Sequence, residues 1–323
     1  IRDRPIYNDF QFKNKIRFNK QNEMTIIGLA AIDNFELNLD ANETADQQFL
    51  LATLPVNEQW NYTFGISHKL FRPNSYWTFV VSRNHLNNTA TKFENNDDSN
   101  PENLLLDYQS NEIENKTRVE NTTRKKGYKI NYGVAWEFAQ YDTRTFRRSS
   151  NSQGIDTLDY RSDLSLQKYA GFAQVSRSFF SEKMALSLGF RFDGSDYSAE
   201  MANPFTQFSP RFSLAWNIKP QLSFNFNTGI YYQLPAYTTL GFRNDAGTLV
   251  NKENGVKYIR NKQVVAGLEY NTAKSSKISV EGFLKIYDRY PFILGDSISL
   301  ANLGGDFGVI GNTAVESLSL IHI

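Results

Sequence analysis

Along most of this chain the apolar residues recur at every second position, the repeat of a strand and not the 3.6-residue repeat of a helix. From Met184 to Asp193, Met184, Leu186, Leu188, Phe190 and Phe192 alternate with Ala185, Ser187, Gly189, Arg191 and Asp193. From Tyr128 to Phe138, Tyr128, Ile130, Tyr132, Val134, Trp136 and Phe138 alternate with Lys129, Asn131, Gly133, Ala135 and Glu137. Phe208 to Asn217 and Gln221 to Tyr232 repeat the pattern. Weaker versions lie at residues 7–19, 24–37, 59–71, 76–86, 106–121, 167–179, 262–271 and 276–288. The pattern predicts about twelve strands.

The connections fall into two populations. Short turns are expected at Lys20–Glu23, Arg72–Ser75, Arg124–Gly127, Phe180–Lys183, Ile218–Pro220 and Asn271–Ser275. Long polar loops are expected at 38–58, 87–105, 139–166, 194–207 and 233–261, with another opening after Asp288. Short and long alternate throughout, as in an antiparallel transmembrane β-barrel with tight turns on one side and long loops on the other. A soluble β-sandwich also alternates, but its strands average about five or six residues and its loops do not sort by length. Runs of about ten residues are long enough to cross a bilayer when tilted. Trp60, Trp77, Trp216 and Tyr232 lie near strand ends, where interfacial aromatic girdles belong. Lipid cannot satisfy an open sheet edge, so such a sheet must close or find further strands.

Composition narrows the choice. Aromatic residues make up 14% of the 323 residues, yet mean hydropathy is only −0.49. Disordered chains lack such aromatic content. The longest apolar run, Met24 to Ile32, is too short for a membrane helix, which needs about 18 residues or more. A net charge of +1 gives no electrostatic case for nucleic acid. The absence of cysteine removes disulfides and thiolate metal sites. The chain starts at Ile1 without a signal segment, and Leu318–Ile323 looks like translated sequencing adaptor. The expectation is therefore a partial barrel over residues 1–317 followed by a foreign tail at 318–323.

Several strands also carry a family likeness. Tyr169-Ala170-Gly171-Phe172-Ala173-Gln174, Leu186–Asp193 and Ser209–Trp216 occur in that order. Gly229–Pro235, Val265–Tyr270 and Val280–Tyr287 follow. In order and spacing these resemble the barrel of TonB-dependent outer-membrane receptors, in the Bacteroidota style; the part before residue 160 matches only in hairpin style. That resemblance implies a barrel of about 22 strands around a plug. Twelve strands would be little more than half of it. The plug with its TonB-contacting segment would lie upstream of Ile1, and the last strands beyond Ser317. Pro210 inside a strand is unusual, since proline lacks a ladder donor.

Candidate site residues lie on the polar faces. Arg191, Asp193 and Arg211 share the inward phase of neighbouring strands. They would form either an ion-pair network of the lumen wall or contacts to a plug or charged ligand. Tyr231, Tyr232, Gln233, Tyr237 and Phe242 lead into the long loop at 233–261, where rim aromatics can stack on ligand rings or serve as girdle. Glu94–Asn100 is rich in oxygen ligands but lacks the spacing of a calcium loop. Enzyme signals are poor: the three histidines are His68, His85 and His322, and no nucleophile elbow, phosphate loop or zinc-protease motif appears. Glycine-rich Gly304–Gly311 follows no buried strand and opens no helix, which argues against a nucleotide site.

The resemblance implies an outer-membrane active transporter, not an enzyme and without a cofactor. It would import a scarce bulky nutrient: a ferric siderophore, cobalamin or an oligosaccharide. Implied partners are outer-membrane lipid, the TonB–ExbB–ExbD complex through the plug, the ligand, and in some relatives a surface lipoprotein. The alternative is a passive porin or a smaller barrel without a plug.

Overall fold

Alternation and tight turns lay the chain out as one antiparallel meander. The computed structural model describes residues 6–151, 154–244, 246–272, 276–294, 297–302, 313–318 and 321–322. It contains twelve principal strands. These are β1 (Ile6–Arg17), β2 (Asn22–Phe35), β3 (Val56–Arg72), β4 (Ser75–Phe93), β5 (Leu104–Lys125) and β6 (Tyr128–Asn151). The series continues with β7 (Gly154–Phe179), β8 (Met184–Ser195), β9 (Ser209–Lys219), β10 (Leu222–Gln233), β11 (Ile259–Asn271) and β12 (Lys277–Asp288). Each strand pairs with its neighbour in sequence. The expected all-β antiparallel architecture is therefore observed. Helix is confined to the connections, chiefly α1 (Ala45–Thr53), which opens on a capping box between Thr44 and Gln47.

The turns explain the register. Lys125 pairs with Tyr128 across the two-residue loop Lys126-Gly127, where both residues have positive φ. That is the twist a two-residue hairpin turn requires, and glycine supplies it without strain. Register then sorts the side chains. Val119, Val134 and Gly171 share one face, and Lys116, Glu137 and Lys168 the other. The first face is the lipid face: Val134 is 61% exposed and Val280 71% exposed, apolar surface that water would not favour. Tyr128 to Phe138 is ten residue steps, or about 25 Å of height for a tilted strand, the thickness of an outer-membrane apolar band.

Two expected loops turn out to be largely strand. Residues 87–105 and 139–166 are mostly taken up by extensions of β4, β5, β6 and β7. Ala139, Tyr141, Thr143 and Thr145 are buried while Gln140, Asp142 and Arg144 are exposed, and Tyr160, Ser162, Leu164 and Leu166 alternate with exposed neighbours in the same way. The period of two persists, but beyond the bilayer the outer face meets water. Polar outer residues then hide the pattern from a hydrophobicity reading.

Glycine and proline mark local departures. Gly133 lies under the ring of Phe172, where an added Cβ would meet Val119 O at 2.5 Å and the ring at 2.8 Å. Pro210 pairs with Phe190 of β8, while the ladder between β9 and β10 stops at Arg211 and Gly229. The missing donor of Pro210 thus falls where β10 has parted from β9.

The sheet is open. Among the described residues β1 pairs only with β2, and the outer edge of β12 takes only Ile321–His322, opposite Tyr287 and Ile286. Tyr290–Ile293, Ile298–Ser299 and Glu316–Leu318 form a separate small sheet. Gly304–Gly311 lies outside the described residues, as do 319, 320 and 323 of the expected tail.

Candidate functional site

The buried core of this sheet lies on its lumen face. Ala139, Tyr141, Leu164, Leu166, Tyr197, Met201, Tyr237, Leu240, Val256, Tyr258, Ile293 and Val315 form one cluster. It arises because the connection at 234–258 folds inward over the upper parts of β6 and β7, together with the Asp196–Phe208 connection. Two short helices, α2 (Ala199–Ala202) and α3 (Tyr237–Leu240), supply Met201 and Leu240, both fully buried.

Polar contacts fix the docked segment. The Gly241 carbonyl accepts from Tyr160 Oη at 2.8 Å and also from Ser162 Oγ. Tyr197 Oη donates to Leu240 O at 2.9 Å, and Arg243 N donates to Tyr160 Oη at 3.0 Å. Asn251, fully buried, donates to Thr239 O at 2.7 Å and to Thr313 O at 2.9 Å. Burial holds the hydroxyls of Tyr197, Tyr237 and Tyr258 well above the ordinary tyrosine range.

Below this docked segment the wall carries a band of charge. Register puts Lys116, Glu137 and Lys168 side by side on three strands. Lys116 Nζ lies 2.6 Å from Glu114 Oε2, and Lys168 Nζ pairs with Glu114 at 3.2 Å and closely with Glu137. Tyr237 Oη donates to Glu114 Oε1 at 2.6 Å and accepts from Lys168 Nζ at 2.6 Å. Opposite charges on neighbouring strands support one another, and here the docked loop completes the set.

Two hollows open along the wall. The upper, about 460 Å³, is lined by Lys116, Arg118, Glu137, Asp193, Tyr232 and Tyr258, among others. The lower, about 400 Å³, includes Arg118, Glu120, Gln174, Arg191, Arg211 and Tyr231. Arg191 Nε donates to both oxygens of Asp193 at 2.9 Å. Arg118 Nε is 3.7 Å from Glu120. Arg211 lies 4.6 Å above the Tyr231 ring, and among the described residues no carboxylate comes within ion-pairing distance of it.

The sequence candidates therefore separate. Arg191 and Arg211 come together at the lower hollow, while Asp193, which neutralises Arg191 alone, lines the upper one. Tyr231 joins them. Gln233 is exposed at the end of β10, and Tyr232 is half-buried against the core cluster. Tyr237 is turned into the wall, and Phe242 stacks on Tyr160 at 5.9 Å. Glu114, Glu137 and Lys168 escaped the sequence reading; their signal is a shared inward phase, visible only once register is known. In the Glu94–Asn100 stretch, Asp97 accepts from Ser99 N, Ser99 Oγ and Asn103 Nδ2. No group of three or more metal-ligating His, Asp or Glu side chains occurs among the described residues.

Known proteins resemble this architecture. Among solved structures, the ferric enterobactin receptor PfeA of Pseudomonas aeruginosa superposes with a TM-score of 0.63 at 14% identity, covering 89% of this chain and 43% of its own. The copper transporter OprC gives 0.63 at 13% identity, with 88% and 45% covered. FpvAI in its complex with pyocin S2 gives 0.63 at 9% identity, with 97% and 46% covered. The chain thus spans less than half the length of these relatives. No curated protein matches the sequence. The family model described as TonB dependent receptor-like, beta-barrel matches residues 4–313. With nearly the whole length matched, the chain belongs to the TonB-dependent receptor-like β-barrel family.

Proposed function

We propose that this chain is the lumen-forming part of an active outer-membrane transporter that binds an anionic metal chelate and admits it with TonB energy coupling. Family membership supports the transporter class. Arg211 supports the ligand class: its guanidinium lines a roomy polar hollow, has an aromatic face beneath it and lacks a carboxylate partner among the described residues. Such a group favours a negatively charged, partly aromatic ligand or a carboxylate of the plug. A ferric or cupric chelate fits that chemistry better than a neutral oligosaccharide. The relatives PfeA and OprC, named for ferric enterobactin and copper, point the same way.

Within this reading Arg191, Arg211 and Tyr231 face the ligand path, and Gln233 and Tyr232 border its entrance. The TonB–ExbB–ExbD complex acts through a plug, and a surface lipoprotein belongs to an oligosaccharide route. A closed twelve-strand barrel finds no support, because β1 and β12 do not pair.

The full-length gene in a deletion strain decides the matter. Uptake of a labelled ferric catecholate chelate should saturate and should stop when a protonophore collapses the inner-membrane gradient. Linear, protonophore-insensitive flux would make the protein a passive pore. Saturable uptake of a neutral oligosaccharide in place of the chelate would retain the transporter and reject the ligand class.

A further inference from the structure

On the opposite, lipid-facing side of the wall, Arg83 occupies an unusual place. It follows Trp77, Phe79 and Val81 on the outward phase of β4, and its register partners are Phe64 of β3 and Asn115 of β5. Six residue steps above Trp77 is about 15 Å for a tilted strand, which lies in the outer half of the apolar band. An ionised side chain at that depth calls for a partner. Its contacts here are neutral: Nε donates to Tyr62 Oη at 3.1 Å and Nη1 to Asn115 Oδ1 at 2.9 Å. No carboxylate among the described residues lies within ion-pairing distance.

Other outward cations are differently placed. Arg260 and Lys262 share Asp288, at 2.5 and 3.2 Å. Arg177 lies near the short-turn end of β7, over the rings of Tyr128 and Phe179. Arg83 alone of these stands within the band without an anion. Arg83 itself lines a furrow of about 170 Å³, whose other walls include Phe64, Ile66, Val81, Asn115, Lys116 and Thr117. Above it, Trp60 meets His85 edge to face at 4.6 Å, part of the upper aromatic girdle.

We propose that Arg83, held by Tyr62 and Asn115, binds the phosphate of an outer-leaflet phosphorylated glycolipid, one acyl chain of which lies in the furrow between Phe64 and Val81. A guanidinium already oriented by two acceptors presents its remaining donors as a fork, the geometry that suits a phosphate. The flanking indole and phenol belong at headgroup level, and the furrow is apolar, so charge and shape together describe an anionic lipid. The inference depends on the barrel's orientation in the outer membrane and not on what the transporter carries.

The test uses the full-length receptor purified from outer membranes in mild detergent, with native mass spectrometry reading bound lipid. Added diphosphorylated lipid A should be retained about tenfold more by the wild type than by Arg83→Met, the loss expected for one charge-assisted fork. Arg83→Lys should fall between them. Lipid A stripped of phosphate should bind the wild type no better than it binds the variant. Should Arg83→Met fail to give a heat-modifiable barrel, the pair Tyr62→Phe and Asn115→Ala, which leaves the charge but frees its orientation, should lower retention several-fold. Equal retention by wild type and variant would overturn the proposal. So would phosphate-independent retention, or a preference of the wild type for phosphatidylethanolamine.

Discussion

Tyr237 Oη donates a 2.6 Å hydrogen bond to Glu114 Oε1, joining an inward-folded connection to a strand 123 residues earlier. Lys168 Nζ donates to the same hydroxyl and lies 3.2 Å from the same carboxylate oxygen. The phenol is thereby used as donor and acceptor at once, which makes this contact one of the polar anchors of the docked segment 234–258.

Replacing Tyr237 by Phe keeps the ring against Tyr141 but leaves Glu114 and Lys168 each short of one partner. The loss should be about 1–3 kcal/mol of local docking stability. Hydrogen exchange in the full-length receptor should then show Leu240 and Gly241 amides opening about tenfold faster or more, with the amides of β1 and β2 unchanged.

Docking should also weaken in alkali. Tyr197, Tyr237 and Tyr258 have raised folded-state values because burial disfavours the phenolate. Below about pH 10 the phenols are protonated whether the segment is docked or free, so their titration leaves docking unchanged. Above about pH 10 only the free segment loses protons, and the equilibrium moves toward it. Protease cleavage between residues 242 and 249 should stay constant from neutrality to about pH 9 and rise beyond about pH 10.

Gly133→Val should impair assembly. The new side chain would have to occupy the space of Val119 O and the Phe172 ring, both under 3 Å from its Cβ. Backbone cannot yield as a flexible side chain can. A much lower yield of heat-modifiable barrel is expected, and Gly171→Ala, whose Cβ meets nothing within 4 Å, should assemble normally.

At the lower hollow, Arg211→Ala should weaken binding of an anionic chelate by about tenfold, the effect of one charge-assisted contact. Asp193→Asn removes a carboxylate from the same wall and should leave chelate affinity equal or higher. The Arg191–Asp193 pair is partly exposed, so thermal stability should change by less than about 1 kcal/mol. Titration calorimetry on both variants reads the two signs directly.

The strands within the bilayer were legible because lipid enforces one rule on every outward position. Met184 to Phe192 and Tyr128 to Phe138 declare their faces without knowledge of any neighbour. The extensions of β6 and β7 were not legible, since Asp142, Arg144, Arg161 and Asp163 face water outside while the buried partners include Thr143, Thr145 and Ser162. Polarity no longer separates the faces there. The site divides in the same way. Arg191, Asp193 and Arg211 lie on adjacent strands whose phase can be read locally. The cluster of Glu114, Glu137, Lys168 and Tyr237 depends on the registers of β5, β6 and β7 and on where a connection lands. Tyr237 looked like a rim aromatic because sequence shows that a loop is long, not that it folds inward.

The placement of the apolar cluster gives the molecule two solvents and two kinds of stability. Strand pairing below the girdle is enforced by lipid, which offers the backbone no alternative hydrogen-bond partner. The cluster around Met201 and Leu240 is held by exclusion of water, as in an ordinary soluble domain. Urea weakens the second far more readily than the first. The mouth of such a protein can therefore melt while its wall stands.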